Sequence, residues 1–165
     1  MSDDDRVSYT PYRPGDMGRI LALQAAYYAA AYDLDHVYEG VVAAQMGEFL
    51  KRYDSASDLV LVARLGGEVA GSITIDCHEP GSELARLRWF IVSDALRGKG
   101  AGRHLIGAAM DFLRGSGKPG CYLTTFEGLA AVRHLYLDAG FELVHEAIEE
   151  TWGKPVNEQR YEWRP

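Results

Sequence analysis

The stretch that decides the fold is Arg97-Gly98-Lys99-Gly100-Ala101-Gly102. An apolar run over 87–92 precedes it, and a helix-like stretch over 103–110 follows it. A strand, a glycine-rich turn and a helix in that order bring unsatisfied backbone N–H groups together at the helix N-terminus, which favours a bound anion. Glycines let the backbone approach a phosphate because no side chain stands in the way. The sequence therefore predicts a phosphate-binding loop.

Two better-known phosphate motifs do not fit this loop. A nucleoside-triphosphate P-loop needs Lys and then Ser or Thr after its last glycine, whereas Arg103 and His104 follow Gly102 here. A dinucleotide fingerprint begins correctly at Gly98, but Arg103 takes the place of its third glycine and the loop lies late in the chain. An ordinary solvated turn is the remaining alternative.

Local charge favours a ligand over an ordinary turn. The chain as a whole is acidic, with 24 Asp and Glu against 17 Lys and Arg. Residues 86–103 nevertheless contain five basic residues and one acid. A basic island on an acidic protein suits an anionic ligand.

The arrangement Arg97-x-x-Gly100-x-Gly102 resembles the pyrophosphate loop of the GCN5-related N-acetyltransferases. A second stretch, 135–141 (Leu-Tyr-Leu-Asp-Ala-Gly-Phe), resembles the end of the family helix whose tyrosine hydroxyl faces the thioester sulfur. Gly140 follows the last apolar position of that helix and is predicted to form its C-terminal cap. The resemblance implies acetyl-CoA as cosubstrate and Tyr136 as the general acid for the leaving thiolate.

The resemblance also implies which residues bind the cofactor. In this family the strand before the loop diverges from the fifth strand, and the pantetheine arm lies in the gap between them. Backbone N–H groups of that strand could hold the thioester carbonyl as an oxyanion. The implied cofactor-binding residues are Phe90, Ile91, Val92, Arg97, Gly98, Lys99, Gly100, Ala101, Gly102 and Arg103.

Two further stretches, 84–92 and 150–163, are similar to the acetyltransferase halves of proteins fused to a MarR-type DNA-binding domain. We expect the stand-alone form, because 165 residues leave no room for a second half. The chain departs from the family pattern in two respects. Leu129 stands seven residues before Tyr136, where the family often has Asn, and the central strand offers Arg86 and Arg88 where some members carry a glutamate base.

The sequence therefore leaves several candidates for the general base. Glu127, directly after the fifth strand, is the first candidate; Asp76 and His78, at the end of the third strand, are alternatives, as is an ordered water. Arg86 and Arg88 alternate with Leu87 and Trp89, so we expect them to share a sheet face and to pair with acids rather than with an acceptor carboxylate.

Composition bounds the remaining possibilities. The length predicts a single domain over 1–165, with residues 1–6 a frayed end. A net charge of −7 argues against nucleic acid, and no apolar run is long enough to span a membrane. Two cysteines without metal spacing predict reduced core thiols, no metal site and a cytoplasmic location.

The order of apolar segments predicts an α+β domain, and the family resemblance implies that it has the GNAT fold. A mixed, mostly antiparallel central sheet of about seven strands would carry helices on both faces, in three α/β/α layers. Asp16 is expected to cap the first helix, which runs to about residue 27, and Gly66-Gly67 to turn a hairpin. The predicted elements are strands at 7–13, 59–63, 69–75, 84–93, 121–126, 141–151 and 157–164, and helices at 16–27, 37–53, 101–114 and 129–138.

These features predict an N-acetyltransferase that transfers acetyl from acetyl-CoA to a primary amine by direct attack in a ternary complex. The acceptor would be a small molecule or a peptide, and the acidic, tyrosine-rich segment 27–39 favours a small cationic one. A catalytically silent coenzyme A-binding sensor is the alternative, and a nucleotide-binding domain a weaker one. Terminal strands in this family often pair between subunits, so we expect a homodimer, with Trp152 and Trp163 near its interface.

Overall fold

A computed structural model describes residues 2–165. These residues form the predicted order of strands and helices. The elements are β1 (Val7–Pro11), α1 (Asp16–Tyr32), α2 (His36–Arg52), β2 (Leu59–Leu65), β3 (Glu68–Asp76), β4 (Ala85–Val92), α3 (Ala101–Gly115), β5 (Cys121–Phe126), α4 (Ala130–Asp138), β6 (Glu142–Glu149) and β7 (Val156–Trp163). Met1, part of the predicted frayed end, lies outside the described residues, and Asp3–Asp5 form one 3₁₀ turn.

The first helix differs from its prediction at both ends. Gly15, at φ 97°, occupies the N-cap position, and the Asp16 carboxylate instead accepts a 2.7 Å bond from the Arg13 amide and pairs with Arg64 at 2.6 Å. The helix then continues to Tyr32, because alanine and tyrosine tolerate the helical conformation, and ends where Asp33 turns left-handed at φ 54°.

The seven strands form one sheet in the order β1-β2-β3-β4-β5-β7-β6. The pair β4–β5 is parallel, whereas the other neighbouring pairs are antiparallel. Pairing between β4 and β5 is limited to Ala85 with Cys121 and Arg86 with Tyr122, so the two strands separate beyond Arg86. At their closed end, a Cβ on Gly120 would lie 2.5 Å from the Trp163 carbonyl oxygen.

Helices cover both faces of the sheet, which confirms the three-layer prediction. On one face, α1 and α2 bury a core that includes Ile20, Phe49 and Val62. On the other, α3 and α4 cover a core that includes Ile73 and Leu105. Cys77 and Cys121 are free thiols buried in the α3–α4 core, as expected. No helix within residues 2–165 is both long and apolar enough to cross a bilayer.

A β-bulge interrupts β4 and corrects the predicted alternation of its side chains. Ser72 is opposite Ile91 and Thr74 is opposite Arg88, so β4 carries one extra residue at this point. Trp89 adopts φ 48°, and its carbonyl accepts a 2.8 Å hydrogen bond from Ser72 Oγ. Trp89 consequently joins the α1–α2 core rather than the face of Leu87.

Candidate active site

The separation of β4 from β5 opens a cleft of about 630 Å³. It begins at the glycine loop after β4, continues between the two strands, and ends against α1, α2 and the turn between β6 and β7. Residues of both separated strands and of all four helices line the cleft. The cleft therefore joins the predicted phosphate-binding loop to an open space on the α1–α2 side.

The loop has the geometry of an anion site. Gly98 and Gly100 adopt φ 74° and 72°, a left-handed conformation that favours glycine. Gly100 is the N-cap of α3 and provides no side chain to its first amides, which leaves them free to bind a ligand. Of the predicted loop residues, Arg97, Gly98, Gly100, Ala101, Gly102 and Arg103 line the cleft, and Lys99 does not.

Gly102 lets α3 and α4 approach closely. A Cβ at this position would lie 3.1 Å from Leu135 Cδ1, on the helix that carries Tyr136. The glycine thus places the loop and the tyrosine on the same side of the cleft.

The wall formed by β4 offers backbone groups. Phe90, Ile91 and Val92 all line the cleft. Within the described chain, β4 beyond Arg86 has no strand partner on the β5 side. A ligand extended along this edge can therefore bond to amide and carbonyl groups as an added strand would.

Tyr136 lines the cleft from α4 and is 5% exposed. Its ring lies 5.9 Å from that of Phe90 and 6.0 Å from that of Phe141. Burial raises the pKa of the Tyr136 phenol above its ordinary value of 10, so the hydroxyl stays protonated at neutral pH. The helix ends at Asp138, two residues later, where Phe141 N–H bonds to the Tyr136 carbonyl and Gly140 N–H to that of Leu137, both at 3.0 Å.

The candidate bases Glu127, Asp76 and His78 lie outside the cleft lining, and each is bound by neighbouring residues. The Glu127 carboxylate accepts a 2.9 Å bond from Asn157, and its backbone carbonyl accepts one from the Tyr32 hydroxyl. Asp76 is fully buried and binds both Arg52 guanidinium nitrogens at 2.6 and 2.7 Å. His78 Nδ1 lies 3.1 Å from Asp58.

Arg86 and Arg88 both line the cleft and both form ion pairs, as predicted. Arg86 pairs with Glu79 at 2.7 Å, and Arg88 lies 3.3 Å from Asp76. The bulge also places the Arg88 guanidinium 4.4 Å from the centre of the Trp89 ring.

An aromatic wall closes the α1–α2 end of the cleft. We use this name for Tyr28, Tyr38, Phe126 and Trp152, whose neighbouring ring centres lie 4.9–5.5 Å apart. Buried Gln24 accepts a 3.1 Å bond from the Tyr38 hydroxyl, and Trp152 Nε1 donates to Glu158 at 2.9 Å. The sequence pointed to the tyrosine-rich segment 27–39 as part of the acceptor site, but it did not predict that Phe126 and Trp152 belong to this wall.

Trp152 and Trp163 do not lie at an exposed strand surface. Trp152 belongs to the aromatic wall, and Trp163 is 7% exposed in the α3–α4 core.

The acids of segment 27–39 lie away from the cleft. Asp33 pairs with Lys154 at 2.5 Å, Asp35 caps α2 through the Val37 amide, and Glu39 is exposed. None of the three lines the cleft. Among residues 2–165, no group of His, Cys, Asp and Glu is placed to hold a metal ion.

Comparison with known proteins agrees with this geometry. The sequence model of the acetyltransferase (GNAT) family matches residues 19–141. A search of curated proteins gives no significant match.

Solved structures share the fold at low identity. A ribosomal-protein-alanine N-acetyltransferase from Brucella melitensis superposes with a TM-score of 0.74 at 18% identity, covering 96% of this chain and 99% of that one. A GNAT-family acetyltransferase from Staphylococcus aureus Mu50 gives 0.73 at 13%, with coverages of 96% and 99%. The protein yncA from Salmonella typhimurium, solved with its cofactor acetyl-CoA, gives 0.70 at 16%, with coverages of 96% and 93%.

Proposed function

The chain belongs to the acetyltransferase (GNAT) family, and on that premise we propose that it transfers acetyl from acetyl-CoA to a primary amine by direct attack in a ternary complex. One observation carries the proposal: a single cleft contains the uncapped start of α3, the unpaired edge of β4 and Tyr136. These are the groups that a phosphorylated thioester and its leaving thiolate require.

The loop and β4 would hold the cosubstrate, which supplies an activated acyl group. The first amides of α3, together with Arg97 and Arg103, suit the negative charge of a pyrophosphate. Backbone N–H groups over Phe90, Ile91 and Val92, which line the cleft, would donate to a carbonyl oxygen as charge develops on it. Binding of the cosubstrate along β4 would use backbone groups. The side chains of β4 therefore say little about which cosubstrate binds.

Tyr136 would donate the proton that the departing thiolate needs. Its raised pKa keeps the phenol protonated, and Tyr136 lines the cleft. A protonated donor beside the bound thioester is suited to general acid catalysis.

For the general base we retain Glu127 and water as alternatives. The carboxylate is exposed and bound by Asn157, outside the cleft lining, which favours a water that carries the amine proton away. Replacing Glu127 with Gln separates the two, since loss of a direct base lowers kcat about 10²–10⁴-fold and loss of a distant acceptor does not.

A coenzyme A-binding sensor is the second candidate function. It is favoured by one observation, that no carboxylate other than that of Asp94, near the loop, lines the cleft among residues 2–165. Thiol release with any primary amine would exclude it.

The cellular location, the oligomeric state and the subgroup within the family are further predictions. Free buried thiols support a cytoplasmic location. The exposed outer strand β6 supports a homodimer. The resemblance of 84–92 and 150–163 supports a place near the MarR-fused acetyltransferases.

Calorimetric titration with acetyl-CoA tests the proposal. We expect micromolar binding to the wild type and none to the double variant Gly100→Asp, Gly102→Asp, because both changes place negative charge at the start of α3. Gly81→Asp is the matched control, since Gly81 also has a positive φ of 81° but lies outside the cleft. Failure of the wild type to bind acetyl-CoA would refute the proposed function.

A further inference from the structure

Three arginines meet where the cleft ends on the α2 side. Arg86 and Arg88 line both the cleft and an adjoining depression of about 290 Å³, and Arg52 lines the depression. Gln45 is shared by the two cavities. The depression is therefore an extension of the cleft, and its charge faces any acceptor bound there.

The two carboxylates paired with these arginines do not balance their charge. Asp76 gives both oxygens to Arg52 at 2.6 and 2.7 Å and reaches Arg88 only at 3.3 Å. Glu79 gives one oxygen to Arg86 and accepts a bond from the Tyr122 hydroxyl with the other. Glu48, at the rim, is exposed and forms none of the ion pairs in the described chain. Three guanidinium groups thus share the buried carboxylate of Asp76 and the half-buried carboxylate of Glu79.

Arg88 is the arginine left with the weakest partner. Its side chain is 7% exposed, and its neighbours are the Trp89 ring and a second cation, Arg86. Desolvation, and then the charge of Arg86, lower the pKa of Arg88 to about 10. A buried cation with incomplete pairing is stabilised when an anion binds beside it.

The rest of this end of the cleft is apolar and aromatic. The aromatic wall lines the same cleft as Arg86 and Arg88, and among residues 2–165 Asp94, near the loop, is the one acidic residue of that lining. The adjoining depression adds Glu79, which is paired with Arg86, and Glu48 at the rim. A small cationic acceptor, which the composition of 27–39 favoured, would lie beside three arginines here, with Glu79 already paired to Arg86 and Glu48 left at the exposed rim.

We propose that the acceptor is an amino carboxylic acid whose carboxylate binds Arg88 and Arg86 and whose apolar side chain packs on the aromatic wall. The inference rests on the proposed function and specifies the acceptor of the same site. Guanidinium groups recognise carboxylates through paired hydrogen bonds, and the wall excludes water from that contact.

Matched acceptor pairs test it. Thiol release is measured with L-phenylalanine against 2-phenylethylamine, and with L-leucine against 3-methylbutylamine, because each pair differs only in the carboxylate. We expect kcat/KM to be about 10- to 100-fold higher for the amino acids, the range of a charge-assisted hydrogen bond. In Arg88→Gln we expect the ratio of kcat/KM for the amino acid to that for the matching amine to fall towards one, because KM for the amino acids rises. Arg88→Lys should restore part of this ratio.

Arg160→Gln is the control variant. Its guanidinium also stacks on the Tyr122 ring, at 3.9 Å against 5.3 Å for Arg86, and pairs with a glutamate, but Arg160 does not line the cleft. Its preference should equal that of the wild type. Thermal unfolding of each variant shows whether a change in preference reflects a change in folding.

The inference is overturned if the wild type prefers the amines without a carboxylate. It is also overturned if Arg88→Gln lowers kcat/KM equally for both members of a pair. Binding is followed independently by the fluorescence of Trp89 and Trp152, which line the cleft, with coenzyme A present. If no acceptor is acetylated, N-acetyl-L-phenylalanine must still bind at least about tenfold more tightly than N-acetyl-2-phenylethylamine for the inference to survive. Absence of acetyl-CoA binding, by contrast, refutes the proposed function itself.

Discussion

The Ser72 hydroxyl donates a 2.8 Å hydrogen bond to the carbonyl oxygen of Trp89, the bulged residue of β4. This bond spans the point where β4 changes the face to which its side chains point, and both residues are buried. It therefore holds Phe90 towards Tyr136 and Arg88 beside Trp89, so one hydroxyl supports both ends of the cleft.

Ser72→Ala should destabilise the protein and weaken acetyl-CoA binding. A buried carbonyl that loses its donor costs about 1–3 kcal/mol, and each kcal/mol lowers Tm by about 2–4 °C in a domain of this size. Thr74→Val is the control on the same strand, because the buried Thr74 hydroxyl has no partner in the described chain and its loss should be neutral. Equal effects of the two changes, by thermal unfolding and calorimetry, would contradict this role of Ser72.

Tyr136→Phe should lower kcat about 10²–10⁴-fold and leave the acetyl-CoA Kd unchanged, because the hydroxyl acts on the leaving group. Steady-state kinetics and calorimetry measure the two quantities. Tyr161→Phe is a suitable comparison, since this buried ring lies 6.3 Å from Tyr136 and does not line the cleft. A loss of binding equal to the loss of rate would show that Tyr136 only shapes the cleft.

The pH profile of kcat provides a separate prediction. Burial raises the pKa of Tyr136, so the phenol keeps its proton as pH rises through 10, where an exposed tyrosine would lose it. We expect no decline of kcat on the alkaline side below about pH 10 from this group. A decline with an apparent pKa near 8 that disappears in Tyr136→Phe would refute it.

Asp76→Asn should destabilise the protein by about 3–5 kcal/mol, because it leaves Arg52 and Arg88 without their shared carboxylate. Burial alone would raise the pKa of Asp76, but bonds from Arg52 and the His78 amide outweigh it and hold the pKa below 3.8. The stabilisation is therefore present above about pH 4 and is lost as pH falls through the folded-state pKa. Urea unfolding at pH 7 and pH 3 measures it.

Asp111→Asn is the control for that change. This carboxylate also pairs with an arginine but is 83% exposed, so its loss should cost less than about 1 kcal/mol at either pH. A variant at Asp76 that behaves like the one at Asp111 would show that the buried pair adds little.

The outer strand β6 should mediate a homodimer. Leu143, Val144 and Ile148 are 38%, 50% and 66% exposed on this edge strand of the sheet. We expect light scattering to give twice 18.3 kDa for the wild type and a single chain for Val144→Lys with Ile148→Lys. Leu137→Lys, at an equally exposed apolar site on α4, should remain dimeric. A monomeric wild type would overturn this expectation.

Local signals in the sequence predicted the elements and the loop. Gly98, Gly100 and Gly140 mark left-handed positions that depend on a few neighbouring residues, and α3 follows from its apolar spacing. The bulge at Trp89 could not be predicted, because it depends on the register with β3. The sequence also could not predict that Arg88 pairs with Asp76 and Arg86 with Glu79, or that Trp152 lines the cleft. These contacts join distant parts of the chain.

The absence of a side chain at Gly120 has a mechanical consequence. β4 and β5 touch through two residue pairs next to this glycine and then separate, so the width of the cleft depends on the angle between the strands at that point. At about 3.3 Å per residue, roughly 20 Å of strand extends from Arg86 to Val92. A small displacement at the Gly120–Trp163 contact is thus magnified along that length, and packing far from the reacting atoms determines whether the two walls are within reach of the same ligand.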